Sequence, residues 1–160
     1  MAERNPFLNQ SASWRGSLSN YVNIDGGKTQ TGEIEVAVEI INDILTIKNR
    51  LFRPDGSQTD YEGALEARIV GNRLLNIHEQ TVDPNTKNQI RNHQFEGYFT
   101  QNHIFIVETY TEVFKDQEKE EMRHNELHYY LPDVDTALNV ISVHVKDKLL
   151  VFGNAYLKRQ

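Results

Sequence analysis

From Trp14 to Leu157 the chain is a succession of runs in which apolar and polar residues alternate, each broken by a turn-forming cluster. This period of two predicts roughly ten β-strands rather than helices. The run "EIEVAVEIINDILTIKNRLF" displays the pattern most fully. With Asn42-Asp43 as a two-residue turn, Ile41 faces Ile44 and Ile40 faces Leu45. Val38 then lies opposite Ile47, Val36 opposite Asn49, and Ile34 opposite Leu51. Glu39 meets Thr46 and Glu35 meets Arg50 on the other side. One face is apolar and the other charged, as a half-buried hairpin requires.

The same reasoning applies twice more. A turn at Gly71-Asn72 puts Tyr61, Leu65, Ala67 and Ile69 on one face with Leu74, Asn76, His78 and Gln80. A turn at Gln101-Asn102 joins Phe95, Gly97 and Phe99 to Ile104, Ile106, Glu108 and Tyr110. That face continues to Arg91, His93 and Glu112. Each assignment depends on turn length, because a slip of one residue exchanges the two faces. The stretch "HVKDKLL" admits a turn of two residues or of three.

The remaining connections, "NIDGGKTQTG", "RPDGSQTD", "VDPNTKNQ" and "KDQEKEEMR", are long. The last is charged and has no apolar stripe, so it reads as a solvated loop or one exposed turn. In a meander, alternate connections fall at the same end, which gathers the tight turns at one end and the long loops at the other. The expected fold is all-β: an up-and-down antiparallel β-barrel of roughly ten strands, closed at the tight-turn end and open at the other. A single domain covers residues 1–160, with strands over 13–157. Residues 1–12 form an N-terminal plug in which Phe7 and Leu8 close the floor beneath Trp14.

The order "NPFL", then "SWRG" opening the first strand, then a meander with long loops at one rim, resembles the calycin superfamily. That group includes lipocalins, fatty-acid-binding proteins, nitrobindins and lipocalin-like phycobilin lyases. In lipocalins a Gly-x-Trp near the first strand packs at the closed end under a basic side chain. Here Trp14-Arg15-Gly16 carries its Gly after the Trp, and the resemblance implies Arg159 or Lys158 as the basic cover. The two-helix lid of fatty-acid-binding proteins has no room between Val22 and Glu33. The resemblance implies an amphipathic hydrophobic ligand in the lumen: a lipid, a tetrapyrrole or bilin, or an isoprenoid-like molecule. It also implies an alternative, a barrel enzyme with cyclase, isomerase or bilin-lyase activity. A haem-ligating His, as in nitrobindins, would fall on His128 or His144.

Composition narrows the function further. The chain has 160 residues and a formal net charge of −6, which argues against a general nucleic-acid binder. Apolar residues make up 38%, enough for the core of one domain with a solvated outer face. The absence of Cys excludes disulfides, thiolate metal sites and Cys nucleophiles, and favours a reducing, cytoplasmic setting. A bilin lyase would therefore need an acceptor protein to supply the thiol. No run approaches membrane-spanning length, so no membrane insertion is expected. There is no Gly-rich phosphate loop and no Ser-His-Asp spacing.

Candidate site residues follow from the proposed lumen face. It is apolar near the tight turns (Ile40, Leu45, Ile69, Leu74, Phe99, Ile104) and polar towards the long loops. The expected ligand-binding set is Asn49, His78, Gln80, Arg91, His93, Phe95, Phe99, Ile106, Glu108 and Tyr110. Arg91 can clamp a ligand carboxylate, or pair with Glu112 at the rim. Glu108 lies between Ile106 and Tyr110 in a sheltered place, where a carboxyl can act as general acid or base. In the enzymatic alternative Glu108 moves the proton while Tyr110 and His93 orient the substrate. His124 and His128, on a strand, are roughly 13 Å apart and cannot share a metal. No metal or cofactor is expected from any motif. Either His128 and Tyr130 or Leu127 and Tyr129 face inward. On the outer face Leu75, Ile77, Phe105 and Val107 offer a patch for a homodimer or an acceptor protein, the non-catalytic reading in which the barrel is packed solid.

Overall fold

The computed structural model describes residues 11–83 and 86–160, with Glu62 described by its backbone alone. Ten strands follow one another: β1 (Ala12–Val22), β2 (Lys28–Ile41), β3 (Ile44–Phe52), β4 (Gln58–Val70), β5 (Arg73–Asn76), β6 (Gln89–Phe99), β7 (His103–Phe114), β8 (Lys119–Tyr130), β9 (Thr136–Val145) and β10 (Lys148–Arg159). Each pairs antiparallel with its neighbours in sequence, and β1 closes on β10, so the molecule is an up-and-down antiparallel barrel. The expected plug residues Phe7 and Leu8 lie outside the described residues.

Turn chemistry sets the register. Asn42 and Asp43 have φ of 51° and 62°, as do Lys146 and Asp147 at 52° and 63°. Two positive φ values in succession give a turn whose twist matches that of the flanking strands. The pairing from Ile41↔Ile44 through Ile34↔Leu51 is the one that alternation predicts. The Gly71-Asn72 turn pairs Val70 with Arg73, and the turn at Gln101-Asn102 pairs Phe99 with Ile104. The undecided stretch at Lys146-Asp147 takes the two-residue form, pairing Val145 with Lys148.

Two expectations about the connections need correction. "KDQEKEEMR" is only a short 3-10 turn at Lys115–Gln117, after which β8 begins at Lys119. Glu118, in left-handed conformation, reverses the chain there, and cross-strand pairing with β7 accommodates the charged residues that follow. The tight Lys146-Asp147 turn stands at the open end, and the five-residue link between β8 and β9 at the floor.

The floor is packed solid. Trp14, Val36, Leu45, Ile47, Leu74, Phe99, Ile104, Tyr129 and Leu157 belong to one buried cluster. Leu131, from the β8–β9 link, joins them at 2% exposure. Full burial of such side chains stabilises the fold by about 1.5–3 kcal/mol each. Trp14 sits opposite Arg159 on the inward row, while Lys158 belongs to the outward row and is exposed. Gly16 is required where it stands, because a Cβ there would collide with the carbonyl oxygen of Tyr156.

The opposite wall is irregular. β5 has four residues and makes only two pairs with β6. Above Asn76, β4 and β6 are therefore not bridged by a strand; Thr81 and Asp83 instead hydrogen-bond back to Ile90 and Asn88 at the start of β6, and Val82 bridges Gln89. β6 also carries a bulge: from Arg91 to Gln94 it advances three residues while β7 advances two, from Thr111 to Thr109. Asn92 absorbs the extra residue with φ of 54°. Such an insertion re-aims every side chain beyond it.

Candidate functional site

A cavity of about 370 Å³ occupies the upper half of the barrel, above the packed floor. Its apolar walls include Leu18, Ile34, Leu51, Ile106, Leu127, Ile141, Val143 and Val151. Alternation along the strands brings these to one face. Polar side chains interrupt them: Asn20, Asn49, Tyr61, Glu108, Tyr110, Arg123, Asn125 and Asn139, with Asp83 and Thr86 from the β5–β6 connection.

That connection folds over the mouth and is tied down by charge. Glu112 is fully buried, and its Oε2 lies 2.6 Å from Nε of Arg123. Its Oε1 accepts hydrogen bonds from Thr86 Oγ1 at 2.6 Å and Asn88 Nδ2 at 3.0 Å. Asp83, 8% exposed, accepts a backbone N–H from Thr86 at 3.0 Å and the Tyr110 hydroxyl at 3.3 Å. A buried charge without such partners would be costly, so these contacts hold the connection in place.

Burial pushes the Tyr110 phenol up to about 12; a hydrogen bond with Asn125 opposes this and the charge of Asp83 adds to it. Tyr61 is also raised, by burial first and then by the charges of Asp83 and Glu108. Deeper, Tyr129 is raised by burial, opposed by its hydrogen bonding with Asn49. Asn49 Nδ2 donates to the Tyr129 oxygen at 2.9 Å, and the Tyr129 hydroxyl donates to Asn49 Oδ1 at 3.1 Å. All three phenols are thus neutral donors at neutral pH.

A second, smaller cavity of about 190 Å³ opens sideways through the gap between β4 and β6, against Leu65, His78, Gln80, His93, Phe95 and Glu108. Glu108 borders both spaces. Its Oε2 lies 3.1 Å from His93 Nε2, and the His93 side chain is 6% exposed. The His93 ring also stands 6.3 Å from that of Tyr110. Alternation from the Gln101-Asn102 turn brings His93 inward beside this carboxylate, and the extra residue at Asn92 changes the facing only from Arg91 onward.

Of the expected site residues, Asn49, Ile106, Glu108 and Tyr110 line the main cavity, and His93, Phe95, His78 and Gln80 border the side opening. Phe99 is buried in the floor cluster and does not reach the cavity. His78 is not a lumen residue: its side chain is 65% exposed and pairs with Glu66 at 2.6 Å, because β5 ends at Asn76 and inward alternation stops there. Arg91 is also corrected. The bulge sets Ile90, not Arg91, opposite Glu112, and Arg91 is exposed in a pair with Glu120. The expected Arg91–Glu112 pair does not exist, and Arg123 takes that place.

Leu127 and Tyr129 face inward, and His128 stacks on Phe105 outside the barrel with ring centroids 4.4 Å apart. His144 pairs with His124 across the outer face, so neither candidate haem ligand reaches the lumen. On the outer patch, Leu75 is 45% exposed while Phe105 is half-buried among rings. Sequence reasoning missed Asp83, Arg123, Asn125 and Asn139. The inward row Arg123, Asn125, Leu127, Tyr129 does alternate, but its parity needed the length of the preceding turn. Asp83 sits in a turn-forming cluster whose fold back over the mouth has no local signal.

Among the described residues no three His, Cys, Asp or Glu side chains group to hold a metal. None of the described helical segments is long and apolar enough to cross a membrane. Comparison of the sequence with protein-family models and with curated proteins finds no match.

Proposed function

We propose that the barrel binds an amphipathic small molecule in its upper lumen. The observation that carries this reading is the 370 Å³ cavity, apolar along its walls and polar towards its mouth. Ligand pockets of roughly 300–1,000 Å³ have this form, so the space favours a compact lipid or isoprenoid-like molecule over a bulky tetrapyrrole. The placing of Trp14 beside Arg159 at the closed end supports the calycin resemblance. Calorimetric titration with neutral and charged amphiphiles, retinol and a bilin among them, tests it. Saturable binding is expected, and Ile141→Trp, which fills the cavity from one wall, should weaken it at least tenfold without unfolding the chain. Absence of saturable binding across the panel would overturn the proposal.

A second reading rests on the buried Glu108–His93 pair. A carboxylate and an imidazole 3.1 Å apart at a cavity wall can pass a proton to or from a bound molecule. In this reading Glu108 is the proton-transfer group, with Tyr110 and His93 orienting the substrate for cyclisation, isomerisation or bilin transfer. Glu108→Gln should still bind a neutral amphiphile and lose turnover; a variant turning over as fast as wild type would eliminate the role. The cavity itself weighs against an interaction module packed solid throughout.

A further inference from the structure

We propose that the lumen selects a ligand whose polar end is cationic, an amphipathic organic amine or ammonium; this rests on the lumen-binding reading above. The charges that face the cavity differ in how far they are already committed to partners. Arg123 is the cationic lysine or arginine side chain among the described residues that line it. Its guanidinium is held by Glu112 at 2.6 Å, and Glu112 is itself fixed by Thr86 and Asn88. A ligand carboxylate would have to compete at Arg123 with the buried Glu112, whose other oxygen is held by Thr86 and Asn88. Arg91, the other cation that alternation would bring to the mouth, is turned outward by the bulge.

Asp83 and Glu108 border the same space, and Glu126 lies at its edge on the outward row of β8. The Tyr61 phenol responds to Asp83 and Glu108, so their fields meet inside the cavity. An anionic head group there would face like charge from two directions, whereas an ammonium would join Thr86 and Tyr110 on Asp83, and His93 on Glu108, as a further donor. Tyr61 and Tyr110 also line the cavity, and aromatic rings attract a nearby cation. The apolar tail would lie along Ile34, Leu51, Ile106 and Ile141.

The test titrates the full chain at neutral pH with three molecules of equal chain length: decylamine, decanol and decanoate. Decylamine is expected to bind tightest, and decanoate on the order of a hundredfold more weakly, because like-charge juxtaposition is strongly unfavourable where water is excluded. Glu108→Gln and Asp83→Asn should each weaken decylamine about tenfold and leave decanol unchanged, the loss of one favourable buried charge contact. Two variants guard against a folding defect in either one. Arg91→Ala should leave the order of the three ligands as it is. Decanol or decanoate binding as tightly as decylamine overturns the charge selection and leaves lumen binding standing. Failure of all three to bind overturns both.

Discussion

The β2–β3 wall and the β5–β6 wall are built from the same kind of alternating sequence, yet they behave differently. In the first, a two-residue turn and nine consecutive pairs carry the apolar face without interruption from Ile41↔Ile44 to Glu33↔Phe52. In the second, four residues of β5, two pairs to β6 and one bulged residue leave a gap. The regular wall supplies Val36, Val38, Leu45 and Ile47 to the floor. The broken wall supplies the side opening, the inward His93, the outward Arg91 and the connection that covers the mouth. The first wall contributes packing and the second the irregular features around the cavity, although the partnered charges Glu112 and Arg123 themselves stand on the fully paired β7 and β8.

The largest effect should come from the ion pair beside the broken wall. Glu112→Leu leaves Arg123 buried without its partner and should cost about 3–5 kcal/mol in urea unfolding. The double variant Glu112→Leu with Arg123→Met should recover most of that loss; if it does not, packing rather than charge pairing holds the mouth. On the regular wall, Leu45→Ala removes a side chain of 0% exposure and should cost about 3 kcal/mol. A loss below about 1 kcal/mol, the range of a surface change, would show that the floor is not packed as described.

The phenol at the mouth sharpens the contrast through pH. Tyr110 has an ordinary value of 10.0 and a folded value raised to about 12, so folding holds its proton more tightly than the unfolded chain does. Stability from this source is fully present below pH 10.0 and falls as pH rises towards about 12. Alkaline unfolding of Tyr110→Phe should lack that part of the fall, whereas an unchanged alkaline profile would mean that the phenol is solvated.

The smallest effect belongs to the bulge itself. Asn92 holds a left-handed φ of 54°, which a β-branched residue adopts poorly. Asn92→Val should cost about 1–2 kcal/mol. Deleting Asn92 should restore continuous alternation, bringing Arg91 inward and Ile90 outward. A structure of the deletion variant with Arg91 still on the surface would break the account of why the two walls differ.

The strands and their succession were legible because each alternating run ends in residues that tolerate positive φ. Asn42-Asp43 and Gly71 are the clearest cases, while Lys146-Asp147 had left two turn lengths open. Asn49, Ile106, Glu108 and Tyr110 were legible for the same reason: an unbroken count from a tight turn reaches each of them. The count fails at Arg91 because one residue of β6 opposes none of β7. It fails at His78 because β5 ends before that residue.

By itself the sequence determined an all-β chain, the identity of its tight turns, the apolar floor and the registers that run from those turns, all consequences of side-chain period and local backbone preference. The tertiary structure alone decided that Arg123 and not Arg91 meets Glu112, and that Asp83 folds over the mouth. Those contacts join residues far apart in the chain. Burying a charge is tolerable only where a partner is brought to it, and no local pattern records which partner that will be.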